Sequence, residues 1–245
     1  MKSVMIIGAT SAIATEVARE FAKSGASLFL LARNQERLEN IASDLRVRGA
    51  HTVHTATFDA HDLESHSRRL DQALEIIGDL DGVLIAHGEL PDQAACQSEY
   101  ADTERALRSN LLSPIALLTW LANYFEKRGK GNITVICSVA GDRGRQSNYV
   151  YGAAKGGLAT FLQGLRNRLS FAGVSVTAIK PGFVDTPMTQ HLPKGPLFAD
   201  PQSVGKRIHK AMLKGENVVY TPWFWRFIML IIQHIPEAIF KRLRL

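Results

Sequence analysis

Three residues have types and spacing that suit proton transfer at a carbonyl. Ser138 is followed along the chain by Tyr151 and Lys155. The i, i+4 spacing of Tyr151 and Lys155 sets them about one helical turn apart on the same face. An ammonium beside a phenol favours the ionised phenol, so the pair can trade a proton near neutral pH. A hydroxyl at a strand end can hold a substrate oxygen at the same point. That apparatus suits carbonyl reduction or alcohol oxidation when a hydride carrier is bound nearby. A lone Tyr-x-x-x-Lys arises often by chance, so its weight comes from the elements that position it.

Those elements alternate between strand and helix from end to end. Strands are expected near 4–7, 27–32, 52–58, 83–86, 132–137, 174–180 and 217–220. Helices are expected near 12–24, 35–48, 62–77, 149–172 and 202–214, with two stretches filling 99–128 that Pro114 interrupts. Continuous apolar strands in βαβ alternation imply a parallel sheet covered on both faces. The expected fold is one doubly wound, Rossmann-type α/β domain over 1–221, with about seven strands. An apolar helical appendage over 222–245 should follow. Ligands of such sheets sit beyond the carboxyl ends of the strands. Strand 132–137 ends at Ser138, and Tyr151 opens the helix after it.

Bulk composition narrows the class. Apolar residues make up 46% of the 245 and charged residues 21%, ordinary values for a soluble globular chain. The net charge of +6 suits a solvated basic surface or affinity for anionic ligands. No Lys/Arg run or aromatic-basic platform suggests nucleic-acid binding. Two cysteines, Cys96 and Cys137, are too few for a disulfide framework, and no metal-ligand spacing occurs, so no metal site is expected. Both features fit a reducing cytoplasm. Met1-Lys2 leads straight into the first strand rather than into a signal peptide.

The first strand ends in Gly8-Ala9-Thr10-Ser11-Ala12-Ile13-Ala14 and then enters a helix. Small residues at a helix N-terminus let backbone N–H groups approach a pyrophosphate, and the helix dipole favours its charge. Gly8, Thr10, Ser11, Ala12 and Ile13 are the candidates at this turn.

Gly8, Asn110, Ser138, Tyr151, Lys155 and Pro181-Gly182 occur in the order seen in short-chain dehydrogenases/reductases. Over roughly 1–221 the chain resembles that family. The resemblance implies a nicotinamide cofactor and four catalytic roles. Tyr151 would protonate the nascent alkoxide. Lys155 would bias the phenol and bond the nicotinamide ribose, and Ser138 would orient the carbonyl. Asn110 would hold a water linking Lys155 to solvent. Local alternatives are a strand-end cap for Ser138 and a backbone-bonded helical amide for Asn110. The resemblance also places Ala86 and Gly88 after strand four, and Pro181, Gly182, Val184 and Thr186 around the nicotinamide carboxamide. The stretch from Thr186 to Asp200 would form a substrate lid. Two departures stand out. Ala12 and Ala14 replace family glycines, so Ala12 should tighten the pyrophosphate turn. Ile85-Ala86-His87-Gly88 replaces Asn-Asn-Ala-Gly, so His87 either takes over a hydrogen bond there or is an ordinary half-buried histidine.

An acidic residue at the end of strand two would grip the adenosine ribose of NAD. Arg33 stands there instead and suits the 2′-phosphate of NADP, unless it only caps a solvated loop. NADP is therefore expected over NAD. The resemblance places Asp59 and Ala60 at the adenine edge, with Asp59 alternatively capping the next helix.

The last residues, 222–245, are almost wholly apolar apart from a stripe of Arg226, Gln233, Glu237, Lys241 and Arg244 on a helical wheel. Such a segment is too short and interrupted to span a bilayer. It can lie on a membrane surface through Trp223 and Trp225, aided by Lys241, Arg242 and Arg244. It can equally pack against the domain or a second subunit, roofing an apolar pocket. Within the family, His87-Gly88 and this aromatic tail resemble decaprenylphosphoryl-2-keto-ribose reductases, which reduce a keto-sugar carried on a polyprenyl phosphate. The expected activity is thus NADPH-dependent reduction of a lipid-linked or bulky apolar ketone by a homo-oligomer, cytoplasmic or peripheral at the membrane. The alternatives are a soluble keto-acyl or small-ketone reductase with the tail as dimer interface, and a non-catalytic NADP sensor.

Overall fold

The computed structural model describes residues 1–190 and 192–243. Arg244 and His191, one in the tail stripe and one in the lid, lie outside the described residues. Seven strands form one sheet: β1 (Ser3–Ile7), β2 (Ser27–Ala32), β3 (Val53–Thr57), β4 (Gly82–Ile85), β5 (Gly131–Ile136), β6 (Val174–Pro181) and β7 (Val218–Thr221). They stand in the order β3-β2-β1-β4-β5-β6-β7, and every neighbouring pair is parallel. This is the single doubly wound Rossmann-type domain expected.

Both faces are covered because successive strand residues point to opposite sides. Met5, Ile7, Phe29 and Leu31 pack one way. They meet Leu117 and Leu121 of α6 (Ser113–Arg128) and Leu158 and Leu162 of α7 (Tyr149–Ser170). Val4, Ile6, Leu28 and Leu30 pack the other way. They meet Val17 and Phe21 of α1 (Ala12–Lys23), Leu38 of α2 (Gln35–Val47) and Ile208 of α8 (Pro201–Lys214). The order reverses between β1 and β4, which opens the crevice where ligands of such sheets bind. At that point Gly8 has φ +83, and a Cβ on it would lie 2.5 Å from His87 N. Only glycine lets the two strand ends come this close.

The remaining helices correct the sequence reading in three places. After α3 (His66–Ile77) comes a short helix not expected, α4 (Gln93–Ser98), held by Asp92 accepting from Ala94 N and Ala95 N. Pro114 does not interrupt the helices between 99 and 128. It sits in the first turn of α6, directly after a π turn, so the change of helical register falls where its N–H is missing. A π turn, Arg108–Leu112, joins α5 (Tyr100–Leu107) to α6 instead. Finally, the tail is not one helix. α9 (Trp225–His234) ends before Pro236, and α10 (Glu237–Phe240) starts a new direction.

The inner side of α9 is docked on the domain. Trp225 and Met229 are buried with Val139, and Phe183, Tyr220, Phe224, Ile228 and Ile232 pack around them. Arg143 Nη1 donates to the carbonyls of Ile232, Gln233 and Ile235 at 2.7, 3.0 and 2.7 Å. These carbonyls lie at the C-terminal end of α9, where a guanidinium suits the helix dipole. Arg143 also pairs with Glu237 at 2.9 Å and lies 3.7 Å over the Phe240 ring.

Candidate active site

The catalytic candidates meet at the carboxyl ends of β4 and β5. Gly88 has φ +153, and a Cβ there would come within 2.7 Å of Asn110 Oδ1 and 3.3 Å of Lys155 Nζ. The missing side chain is what lets both groups reach the end of β4. Lys155 is buried on α7, and its Nζ donates to Ile136 O at 3.1 Å. Asn110 lies in the π turn and is fully buried. Its Nδ2 donates to Glu89 O at 2.9 Å and to Ala106 O at 3.0 Å, and its Oδ1 accepts from Glu89 N at 3.2 Å. π turns recur at functional sites because they push one residue out of the regular helical register. Asn110 is thus backbone-bonded as the local alternative held, while sitting beside Lys155.

Ser138 follows β5 and accepts from Ala140 N at 3.1 Å, capping the short turn Val139–Asp142. The cap fixes its hydroxyl near Tyr151, which is half-buried in the first turn of α7. One electrostatic expectation fails. Burial pushes the Tyr151 phenol up to about 12, with the Ser138 side chain opposing the rise. Lys155 Nζ stands 5.7 Å from the ring centroid and also donates to Ile136 O, and its charge does not outweigh the loss of hydration. Burial also lowers Lys155. Without cofactor, Tyr151 is a stored proton rather than a phenolate. That state matches an acid that protonates an alkoxide.

The cofactor candidates flank this point. Gly8 and Ala9 N–H both donate to Leu31 O, at 2.7 and 3.1 Å, and Ser11 N donates to Gly8 O at 3.0 Å. Ser11 stands at the N-cap of α1 without a side-chain cap bond, so the first turn of α1 keeps free N–H groups. Thr15, not expected from sequence, braces the turn by donating to Ala9 O and Ser11 O at 3.0 and 3.1 Å. Thr10 O accepts from Arg37 at 3.4 Å. Ala12 is half-buried beside buried Ile13. Ala86 and Gly88 continue β4, and Ala86 N donates to Ile7 O at 2.7 Å.

Arg33 and Asp59 line one cavity of about 230 Å³, with Thr57, Phe58, Asp62, Ser65 and Arg69. Arg69, on α3, was missed because helical periodicity marks it only as a solvent-facing residue. Asp59 Oδ1 also accepts from His61 N at 2.9 Å, so it caps a turn and faces the cavity at once. Ala60 packs beside the core rather than in the cavity lining. A dinucleotide therefore fits the residues present: a free helix N-terminus at one end, a glycine cradle at the other and two guanidinium groups at the adenosine side. Among the described residues no group of His, Cys, Asp and Glu could hold a metal ion.

Pro181, Gly182 and Val184 lead out of β6 into the stretch 186–200. Val184 pairs with Ala199, and Asp185 N donates to Ala199 O at 2.9 Å, which joins the two ends of that stretch. Thr186 caps the turn Pro187–Thr189. A Cβ on Gly182 would collide with the Trp225 indole, which also meets Phe183 edge-on at 5.3 Å. The tail thus abuts both Val139, next to Ser138, and Gly182. Sequence reading missed this contact because it links residues far apart in the chain.

His87 Nε2 sits 3.0 Å from Ser113 Oγ, and His66 Nε2 sits 2.8 Å from the same hydroxyl. Phe58 packs on both rings, at 4.7 Å from His66 and 5.5 Å from His87. His87 therefore takes over a hydrogen bond, tying β4 to α6. Asp142 links the loop after Ser138 to β6 and β7: it pairs with Lys180 and accepts from Tyr220 Oη at 2.8 Å.

Comparison with known proteins gives the same assignment. Residues 2–196 match the family described as short chain dehydrogenase. An uncharacterized oxidoreductase of Mycobacterium tuberculosis is 36% identical over 240 residues, 98% of this chain and 96% of that protein. The ketoacyl reductase HetN of Nostoc is 28% identical over 216 residues, 86% of this chain and 75% of that protein. The structure of a single-residue variant of actinorhodin polyketide ketoreductase with NADPH superposes with a TM-score of 0.81 at 22% identity, covering 89% of this chain and 95% of that one.

Proposed function

The chain belongs to the short-chain dehydrogenase/reductase family, and we propose that this oxidoreductase uses NADPH to reduce a bulky apolar ketone to a secondary alcohol. The observation that carries the reading is the gathering of Asn110 and Lys155 at Gly88, with Tyr151 beside Lys155 and Ser138 beside Tyr151. A non-catalytic sensor would have no use for the full set. When bound, the nicotinamide supplies hydride to the carbonyl carbon. Ser138 holds the carbonyl oxygen, and Tyr151 donates its proton there. Lys155 stabilises the phenolate left behind, and Asn110 keeps the end of β4 in place beside it.

Arg33 and Arg69 in one cavity favour a 2′-phosphate, and so NADP over NAD. NADPH in the polyketide ketoreductase structure supports the choice of NADP, and the ketoacyl reductase name of the Nostoc relative supports ketone reduction.

Residues 1–221 form the catalytic unit in this reading, and 222–245 an appendage that serves it. The inner side of α9 walls the nicotinamide end of the site. The outer side leaves Trp223 71% and Ile231 68% exposed, with Phe227 and Leu230 alongside. Arg226 on α9 and Lys241 and Arg242 after α10 are exposed as well. An apolar face with basic residues in the same tail suits an anionic lipid surface, and no helix of the described residues is long and apolar enough to cross one. A keto-sugar on a polyprenyl phosphate would be presented at such a surface.

Co-sedimentation with anionic liposomes tests the lipid part, using the full chain and a Trp223→Ser, Phe227→Ser, Ile231→Ser variant that keeps the docked inner face. Pelleting of the wild type alone supports it. If neither pellets and the wild type is instead a dimer that the variant loses, the face joins two subunits of a soluble ketone reductase.

A further inference from the structure

What fixes the Ser138 hydroxyl sets where a substrate oxygen can be held. Ser138 Oγ accepts from Ala140 N at 3.1 Å, and Ser138 O accepts from Gly141 N at 3.2 Å. The hydroxyl therefore rides on the turn Val139–Asp142. One side of that turn lies backbone to backbone on α7. A Cβ on Gly141 would come within 2.6 Å of Gly156 N, next to Lys155. A Cβ on a neighbouring turn of the helix, at Gly152 next to Tyr151, would come within 2.9 Å of Ala140 O. Such contact stops the turn from moving inward but does not hold it down.

The holding comes from the last residue of the turn and the one after it. The Asp142 carboxylate is buried, and it pairs with Lys180 of β6 while accepting from Tyr220 Oη of β7 at 2.8 Å. Lys180 directly precedes Pro181-Gly182, so one carboxylate ties the turn to the start of the stretch after β6. Arg143 reaches the other way, to the C-terminal end of α9. Its guanidinium takes the carbonyls of Ile232, Gln233 and Ile235 and the carboxylate of Glu237. Gln233 Nε2 returns a bond to Asp142 O at 3.3 Å. Val139, at the start of the turn, is packed with Trp225 and Met229 of the same helix. Bonds with an ionised partner are the stronger kind, and Asp142 and Arg143 each make several.

We propose that Asp142 and Arg143 are positioning residues for Ser138, bolting its turn to the sheet on one side and to the tail helix on the other. The docked part of the tail is then a member of the frame that aims Ser138, not only a wall of the site. The role of Ser138 rests on the reductase reading; the anchoring of its turn does not. A misplacement of about 1 Å at a reacting centre costs on the order of 10²-fold in rate. A loosened turn should therefore show in turnover before it shows in cofactor binding.

Two measurements on the full chain test this, with Asp142→Asn and Arg143→Gln as variants and circular dichroism confirming both folds. Hydrogen exchange read by NMR needs no substrate. The Ala140 and Gly141 amides should exchange about tenfold or more faster in each variant, while Leu30 of β2 exchanges as in the wild type. Steady-state kinetics with NADPH and a ketone that the wild type reduces is the second measurement. Each variant should lower kcat about tenfold with NADPH affinity unchanged, and Arg143→Lys should recover part of the loss. In a Ser138→Ala background, Arg143→Gln should cost nothing further, because its effect passes through the missing hydroxyl. A general loss of packing would instead lower both backgrounds alike. Unchanged exchange at Ala140 and Gly141 in either variant, or additive losses in the double variant, would overturn the proposal. A wild type that turns over no ketone would sink the reductase reading, and the exchange rates would still decide the anchoring.

Discussion

Mild acid should destabilise this protein through His87 before its carboxylates titrate. Ser113 Oγ faces Nε2 of both His87 and His66 and has one proton to give, so one ring accepts from it and the other donates to it. Nδ1 of each ring is buried with no partner. A second proton on His87 would leave a desolvated cation with an orphaned N–H. Burial, then repulsion from Lys155, pushes His87 down to about 3, and burial lowers His66 as well. The unfolded chain takes up these protons near pH 6.5, but folded His87 does not until about pH 3. The stability gained from keeping His87 neutral is thus complete above pH 6.5 and is lost as pH falls from there toward 3. One such group removes about 1.4 kcal/mol per pH unit, or about 3 kcal/mol between pH 6.5 and 4.5. His66 acts with the same sign. Against a net stability on the order of 10 kcal/mol, the loss is large. Urea unfolding at pH 7.5, 6.5, 5.5 and 4.5 measures it, with His87→Asn as the comparison. The wild-type midpoint should fall steadily below pH 6.5, and the variant's fall should be shallower. A flat wild-type profile, or equal slopes in both proteins, would refute the buried-histidine reasoning.

Two further outcomes follow from the geometry. Gly182→Ala should cost about 1–3 kcal/mol by forcing the Trp225 indole off the end of β6, read as a lower melting temperature and a shifted tryptophan emission; an unchanged melting point would mean that the tail does not press on this loop. Arg33→Ala should weaken NADPH binding at least tenfold while leaving NADH little changed, measured by fluorescence titration; equal losses for both cofactors would remove Arg33 from 2′-phosphate recognition.

The parallel sheet was legible because its strands are short apolar runs set between helical repeats, and the order of Asn110, Ser138, Tyr151 and Lys155 is a linear pattern. What escaped depends on contacts between distant residues. The π turn at 108–112 has no periodic signature, and Pro114 reads as a helix breaker until its place in the first turn of α6 is known. The phenol was expected to be acidified by Lys155, but the lysine's reach to Ile136 O is a matter of tertiary packing, and burial of Tyr151 wins. The bond of His87 to Ser113 was open as an expectation, but its partner could not be named. Packing of the tail on the domain was one open expectation, but a helical wheel over the whole tail ignored Pro236 and could not name the docked residues of α9 or the Arg143 clamp.

The most direct measurement is NADPH consumption by Tyr151→Phe with a ketone that the wild type reduces, alongside NADPH binding and thermal stability. Removing one hydroxyl should cost turnover a factor of about 10² or more, while cofactor affinity and folding stay near wild type. A rate within about twofold of wild type would contradict Tyr151 as the proton donor and, with it, the assignment of this site.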